Sequence, residues 1–181
     1  AMLKRMSNHG LTPGLALDLT TIDPDDGMPW DFDVPAKRDK ALRLQREQKP
    51  LFIIGSPMCT RWCSCQHIGD ARRGLEIVKR EMRPAFVHVE FMTGIDREHI
   101  EVGRFLLHGH PGSAGSWAEK CIPALFVTPS VSRVCGDQCQ YGQEVQYREC
   151  RGQPVRKSTG ALSNALECVC ASLGQSQAAV S

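Results

Sequence analysis

The segment Ile53-Ile54-Gly55-Ser56-Pro57-Met58-Cys59-Thr60 runs from strand-forming residues into a sharp Gly-Ser-Pro turn that presents a thiol. A cysteine on such a turn, flanked by backbone N–H groups and by Arg61, has the surroundings in which a thiol acts as a nucleophile. A structural thiol is the competing reading of Cys59. A second apolar run ends in His108-Gly109-His110-Pro111. Alternation along a strand sends both imidazoles to one face, an arrangement open to a metal pair or to two polar loop histidines. The cysteines do not favour a metal. They fall as Cys59-x3-Cys63-x-Cys65, Cys121, Cys135-x3-Cys139, Cys150 and Cys168-x-Cys170, without the paired knuckles of a structural zinc site. Nine is an odd count, and with no secretory leader it points to reduced thiols rather than a disulfide framework.

Those groups need elements to hold them. The densest strand signal is Leu51-Phe52-Ile53-Ile54 after Pro50, continuous and β-branched as in a central parallel strand covered on both faces. Upstream, Leu15 to Leu19 reads as a strand carrying Asp18, Asp23 to Pro29 as a Pro/Gly loop, and Trp30-Asp31-Phe32-Asp33 as a short strand. Pro35 opens a basic helix over Ala36 to Gln48. Between Asp70 and Val102 the apolar spacing predicts a long helix, kinked or split by Pro84 and Gly94. Arg104 to Leu107 reads as the next strand, Ser116 with Glu119 as a capping box for a helix starting near Trp117, and Val131 to Val134 as a further strand. Gln138 to Lys157 is polar, and the residues after Leu173 are small and polar, as in a frayed tail.

Strands alternating with helices predict a doubly wound α/β fold with a mostly parallel sheet. Ligands in such sheets bind at the carboxyl ends of the strands, which places Asp18, Asp31, the Ser56 to Cys65 loop and the His108 to Pro111 loop along one edge. At 181 residues and 41% hydrophobic content the chain suits one domain over 1–173, with a disordered tail over 174–181. A net charge of +2 with 23% charged residues neither demands nor excludes nucleic acid. Lys37, Arg38, Lys40, Arg43 and Arg46 in the basic helix reach phosphates in one reading and form a solvated face, with Asp39 and Glu47, in the other. Trp30, Trp62 and Trp117 stack bases or pack the core. No apolar run approaches the roughly 20 residues of a membrane span, so no membrane partner is expected and the setting reads as intracellular, cytoplasm or nucleus.

The Pro57-x-Cys59 loop resembles that of cytosine-5 DNA methyltransferases, whose cysteine attacks the ring of a flipped pyrimidine. A broader resemblance runs from Leu11 to Asn164. The segments Pro13 to Thr21, Trp30 to Asp33, Ile54 to Thr60, Gly136 to Gly142 and Pro154 to Lys157 together resemble methyltransferase-like domains of retroelement-type (Copia/Gypsy-like) polyproteins. The resemblance implies a Rossmann-like methyltransferase fold, with Asp18 on the ribose and Asp31 near the adenine of S-adenosylmethionine. It implies Cys59 as nucleophile, steadied by Ser56, Pro57 and the His108 loop, and nucleic acid as substrate.

The sequence also departs from that pattern. The family's His-Glu-His-Pro reads His108-Gly109-His110-Pro111, removing a carboxylate whose loss as a general acid costs about 10² to 10⁴ in rate. The loop after Cys59 reads Arg61-Trp62-Cys63-Ser64-Cys65-Gln66, and Lys157-Ser158-Thr159-Gly160 stands where Lys-Pro-Thr-Gly is expected. Ala1 to Met6 reads as the helix after the cofactor's Gly-rich turn, so the domain is expected to lack its first strand and this chain to bind no cofactor. Two readings stand. One is an impaired methyltransferase-like domain with weak binding of nucleic acid or nucleotide; the other is a structural or interaction module with no small-molecule ligand.

Overall fold

The structure, a computed structural model, describes residues 12–165 and divides the chain after Pro50 into two compact units, 1–50 and 51–181. The helix expected at Ala1 to Met6 and the tail expected at 174–181 lie outside the described residues.

In the first unit neither expected strand forms. Residues 12–17 are irregular with Leu15 exposed, and Asp18 to Thr21 make a turn. The Thr20 amide (2.7 Å) and hydroxyl (2.6 Å) donate to Oδ1 of Asp18, and that local bonding competes with any ladder. Trp30 to Asp33 turn into the helix α1, Pro35–Gln48, which starts on Pro35 and stops where Lys49 enters the left-handed region ahead of Pro50. The buried positions of α1, Lys37, Ala41 and Gln45, lie one turn apart and are largely polar. Oε1 of Gln45 has no hydrogen-bond partner among the described residues, whereas the lysines are satisfied internally. Nζ of Lys37 lies 2.7 Å from Oδ2 of the fully buried Asp23 and 2.8 Å from Asp26, and Lys40 bonds Asp23 and Asp25. Both ammonium groups sit over the buried Trp30 ring, 5.1 and 5.3 Å from its centroid. Lys37 and Lys40 are therefore spent inside the unit, and Arg38 bonds the carbonyls of Phe32 and Asp33. Of the two readings of the basic helix, neither a phosphate contact nor a solvated face describes Lys37 and Lys40, which hold an acidic loop, and of the two readings of Trp30 the packed one fits its burial.

The second unit is an α/β layer with a four-stranded mixed sheet in the order β1-β2-β4-β3, where β1 is Phe52–Gly55, β2 Phe105–Pro111, β3 Ser132–Asp137 and β4 Ser158–Ser163. Only β1 and β2 are parallel; β2 with β4 and β4 with β3 are antiparallel. The sheet is thus mostly antiparallel, and β1 is an edge strand rather than the centre. The run from Leu51 to Ile54 looks buried on both faces, yet Leu51 and Ile54 are exposed. The displacing element is β4, Ser158-Thr159-Gly160-Ala161-Leu162-Ser163, whose small polar residues carry no strand signal. Leu162 enters the core and the Ser163 hydroxyl bonds the Leu106 carbonyl, so tertiary pairing supplies what propensity lacks.

The helix α2, Leu75–Glu101, runs unsplit through Pro84 and Gly94. Its buried residues Ala85, Val89, Met92, Asp96 and His99 form a stripe at three- and four-residue spacing. Ala85 and Val89 of that stripe join Trp62, Leu106, Ile122, Leu125 and Leu162 in one core. The helix predicted at Trp117 is instead a 3-10 turn, Gly115–Ala118, because the Ser116 hydroxyl turns inward to His110 and Pro123 closes the segment. No helix among the described residues is long and apolar enough to cross a membrane.

Two glycines permit close approaches. A Cβ on Gly55 would fall 2.1 Å from Sδ of Met92, and one on Gly160 2.6 Å from Cζ2 of Trp117. The Met92 thioether can swing away, whereas the indole is wedged among His108, His110 and Arg133. Gly160→Ala is expected to lower unfolding free energy by about 1–3 kcal/mol, and Gly55→Ala by less, in denaturant titrations. Equal costs would show that the indole yields as readily as the thioether.

Candidate functional site

The parallel pairing sets the geometry. Gly55 lies opposite His108, so the chain leaving β1 through Ser56 and Pro57 runs alongside Gly109 and His110 at the carboxyl end of both strands. The His110 ring lies against the backbone of Pro57 and Met58. The structure therefore brings the cysteine loop and the histidine strand together, as the sequence implied. Ser56 is exposed, Pro57 and Cys59 are half-buried, and His108 and His110 are buried.

Strand alternation puts Leu106, His108 and His110 on the face toward α2. Nδ1 of His108 lies 2.7 Å from Oδ2 of Asp96, and both side chains are fully buried. Burial pushes the Asp96 carboxyl up from its ordinary range, and the hydrogen bond from His108 opposes that. Nδ1 of His110 bonds the buried hydroxyl of Ser116. Burial pushes the His110 imidazole down to about 4, and the neighbouring His108 adds to the effect. Trp117 packs edge-on against both rings, with centroids 5.9 and 6.2 Å away, and donates its indole N–H to the Pro111 carbonyl at 2.7 Å. The Arg133 guanidinium stacks on the other side of this assembly, 4.1 Å from the Trp117 ring centre.

An Asp–His pair with Nε2 left unbonded has the make-up of a general base, but a base must reach the proton it removes. With His108 at 0% exposure this one is sealed. Among the described residues no group of three or more His, Cys, Asp or Glu is arranged to hold a metal, so the histidines do not form a metal pair with further ligands. Neither imidazole is hydrogen-bonded to Cys59, because their Nδ1 atoms go to Asp96 and Ser116.

Asp18 and Asp31 belong to the first unit. Asp18 is exposed in its turn, where the Thr20 hydroxyl and amide hold its carboxyl below the usual range; Asp31 is half-buried and accepts from the Asp33 amide at 2.9 Å. Neither stands at the end of a strand, so the carboxylates do not have the setting that the S-adenosylmethionine reading requires. Asp96 and Arg133 escaped the sequence reading and Ser116 entered it only as a helix cap, although a lone acid on the apolar stripe Val89, Met92, Asp96 was the available signal for the first.

Fold and site together define an α/β chain with a polar, sealed centre beside a thiol-bearing loop. Comparisons with family models, with curated proteins and with solved structures each find no match.

The depressed His110 makes stability sensitive to acid. The folded state keeps the ring neutral down to about 4, whereas the unfolded chain takes up a proton near 6.5. Stability present above pH 6.5 is therefore lost as pH falls toward 4, by about 1–3 kcal/mol. Asp96, shifted up, acts in the opposite direction, so the His110 part is read as the difference between the native chain and His110→Gln. Denaturant midpoints at pH 7 and pH 5 test this; a difference independent of pH refutes it.

Proposed function

We propose that this chain is a methyltransferase-like domain of the retroelement-polyprotein kind in which methyl transfer has lapsed, leaving at most weak binding of nucleic acid or nucleotide. The observation that carries the reading is the parallel β1–β2 pair, which lays the Ser56 to Cys59 loop alongside His108-Gly109-His110. That juxtaposition is what the resemblance implies for a nucleophile loop and its neighbouring base-holding strand.

The same geometry supports the lapse. Position 109 alternates with 108 and 110, so its side chain belongs to the sheet face opposite the two histidines. A Cβ there meets only the Gly55 carbonyl oxygen, at an ordinary 3.8 Å, so nothing steric excludes a larger residue. The carboxylate is simply missing, and the buried histidines cannot replace it. A structural module is the second reading, and it is favoured by the full burial of the Asp96–His108 pair, whose contacts are those of a core.

Radiolabelled S-adenosylmethionine with mixed DNA and RNA is expected to leave no label on nucleic acid, and Gly109→Glu alone is expected not to restore transfer. Transfer by the native chain that Cys59→Ser abolishes would overturn the lapse and establish an active enzyme acting on nucleic acid. Salt-sensitive oligonucleotide binding in fluorescence anisotropy supports the proposed reading. Silence both there and in calorimetry with S-adenosylmethionine favours the structural module.

A further inference from the structure

The turn after β1 holds more than one thiol. Cys59 precedes a 3-10 turn, Thr60–Trp62, and Cys63 follows it. The Trp62 amide closes the turn on the Cys59 carbonyl at 3.0 Å, and Sγ of Cys63 lies 3.3 Å from the same oxygen. The two intervening residues are fixed. Trp62 is 3% exposed and meets Phe86 edge-on at 4.9 Å. Arg61 is buried too, with Nη2 2.9 Å from Oδ2 of Asp70 and Nη1 3.8 Å from Glu81. Cys59 and Cys63 are left half-buried on either side of this anchored pair, with one sulfur already against the other residue's backbone.

We propose that Cys59 and Cys63 form a peroxide-reactive thiol pair that closes to a reversible disulfide. The inference is independent of any methyltransferase reading. The hydrogen bond of Cys63 requires its S–H proton, so Cys59 reacts first. Its thiolate attacks one oxygen of hydrogen peroxide, the O–O bond breaks, hydroxide leaves and Cys59 becomes a sulfenic acid. The Cys63 sulfur then attacks the sulfenic sulfur, an S–S bond forms, the S–O bond breaks and a second hydroxide leaves. The two thiol protons convert the two hydroxides to water. Two thiols lose two electrons in all, and peroxide gains them.

Spacing alone does not produce this. Cys135 and Cys139 have the same x3 spacing, but Cys135 lies inside β3 and the chain stays extended to Asp137 before the next 3-10 turn. An extended chain advances about 3.3 Å per residue, which carries those two thiols apart, whereas a disulfide needs its Cα atoms within about 7 Å.

The test treats the native chain with hydrogen peroxide, blocks remaining thiols, and maps tryptic peptides by mass. Cleavage after Arg61 separates the two cysteines into peptides 47–61 and 62–72. The expected product is these peptides joined with loss of two hydrogen atoms, reversed by a thiol reductant, with Cys135 and Cys139 unlinked. Cys65→Ser is expected to retain the link. Cys63→Ser is expected to lose it and to leave Cys59 as a sulfenic acid trapped by a dione probe. Any one of three results overturns the proposal: linkage that survives Cys63→Ser, linkage only between molecules, or Cys59 carried to the sulfinic acid in the native chain with Cys63 unmodified.

Discussion

Asp96 and His108 lie inside the second unit with no exposure to solvent, and each is the other's hydrogen-bond partner. An isolated buried carboxylate costs many kcal/mol, and a buried imidazole with both nitrogens unbonded is expensive too. Their 2.7 Å contact joins the C-terminal part of α2 to the centre of β2, and the core beside it takes Ala85 and Val89 from the helix and Leu106 from the strand. Removing one partner of such a pair strands the other, at a typical cost of about 3–5 kcal/mol. The pair also fixes register. A shift of one residue along β2 would turn His108 to the opposite face and bring a glycine to Asp96, so the carboxylate admits one alignment of helix on strand.

Much else follows from that alignment. With His108 turned toward α2, His110 must face the same way, and the Ser116 hydroxyl comes inward to bond it instead of capping a helix. Trp117 then fills the space over both imidazoles, and it can do so only because Gly160 of the neighbouring strand has no side chain. Arg133 completes the layer by stacking on the indole and bonding the Gly112 carbonyl at 2.5 Å.

Legibility in the sequence divided along the same physical lines. The basic helix beginning at Pro35 and the long helix up to Glu101 were visible because capping chemistry and an apolar stripe are local properties. So were Leu51 to Ile54 and the strand ending at His110, together with the fact that their ends meet. The strand Ser158–Ser163 was not, since its place between β2 and β3 is decided by partners far away in the chain. Missing it turned a mixed, mostly antiparallel sheet into an expected parallel one. Asp18 and Asp31 failed for a different reason: short aspartates bind their own backbone two residues on, and that turn chemistry overrode two short apolar runs. The charge of α1 was read correctly as a cluster but not as an inward one, because the buried Asp23 that collects Lys37 and Lys40 lies in a loop with no periodicity.

The motif His108-Gly109-His110 shows why a linear pattern misleads about chemistry. In the sequence the three residues look like one catalytic patch. On β2 they divide between two faces, with both imidazoles toward α2 and position 109 toward the other side, against the Gly55 carbonyl. Any carboxylate restored at 109 would act on a different side of the sheet from the histidines. The histidines therefore owe their place to packing: one answers a buried acid and the other a buried hydroxyl. The loop that ends in Cys59 owes its firmness to Trp62 and Arg61, which are rooted in the core and in Asp70, so the thiols beside them are held by the fold without being consumed by it.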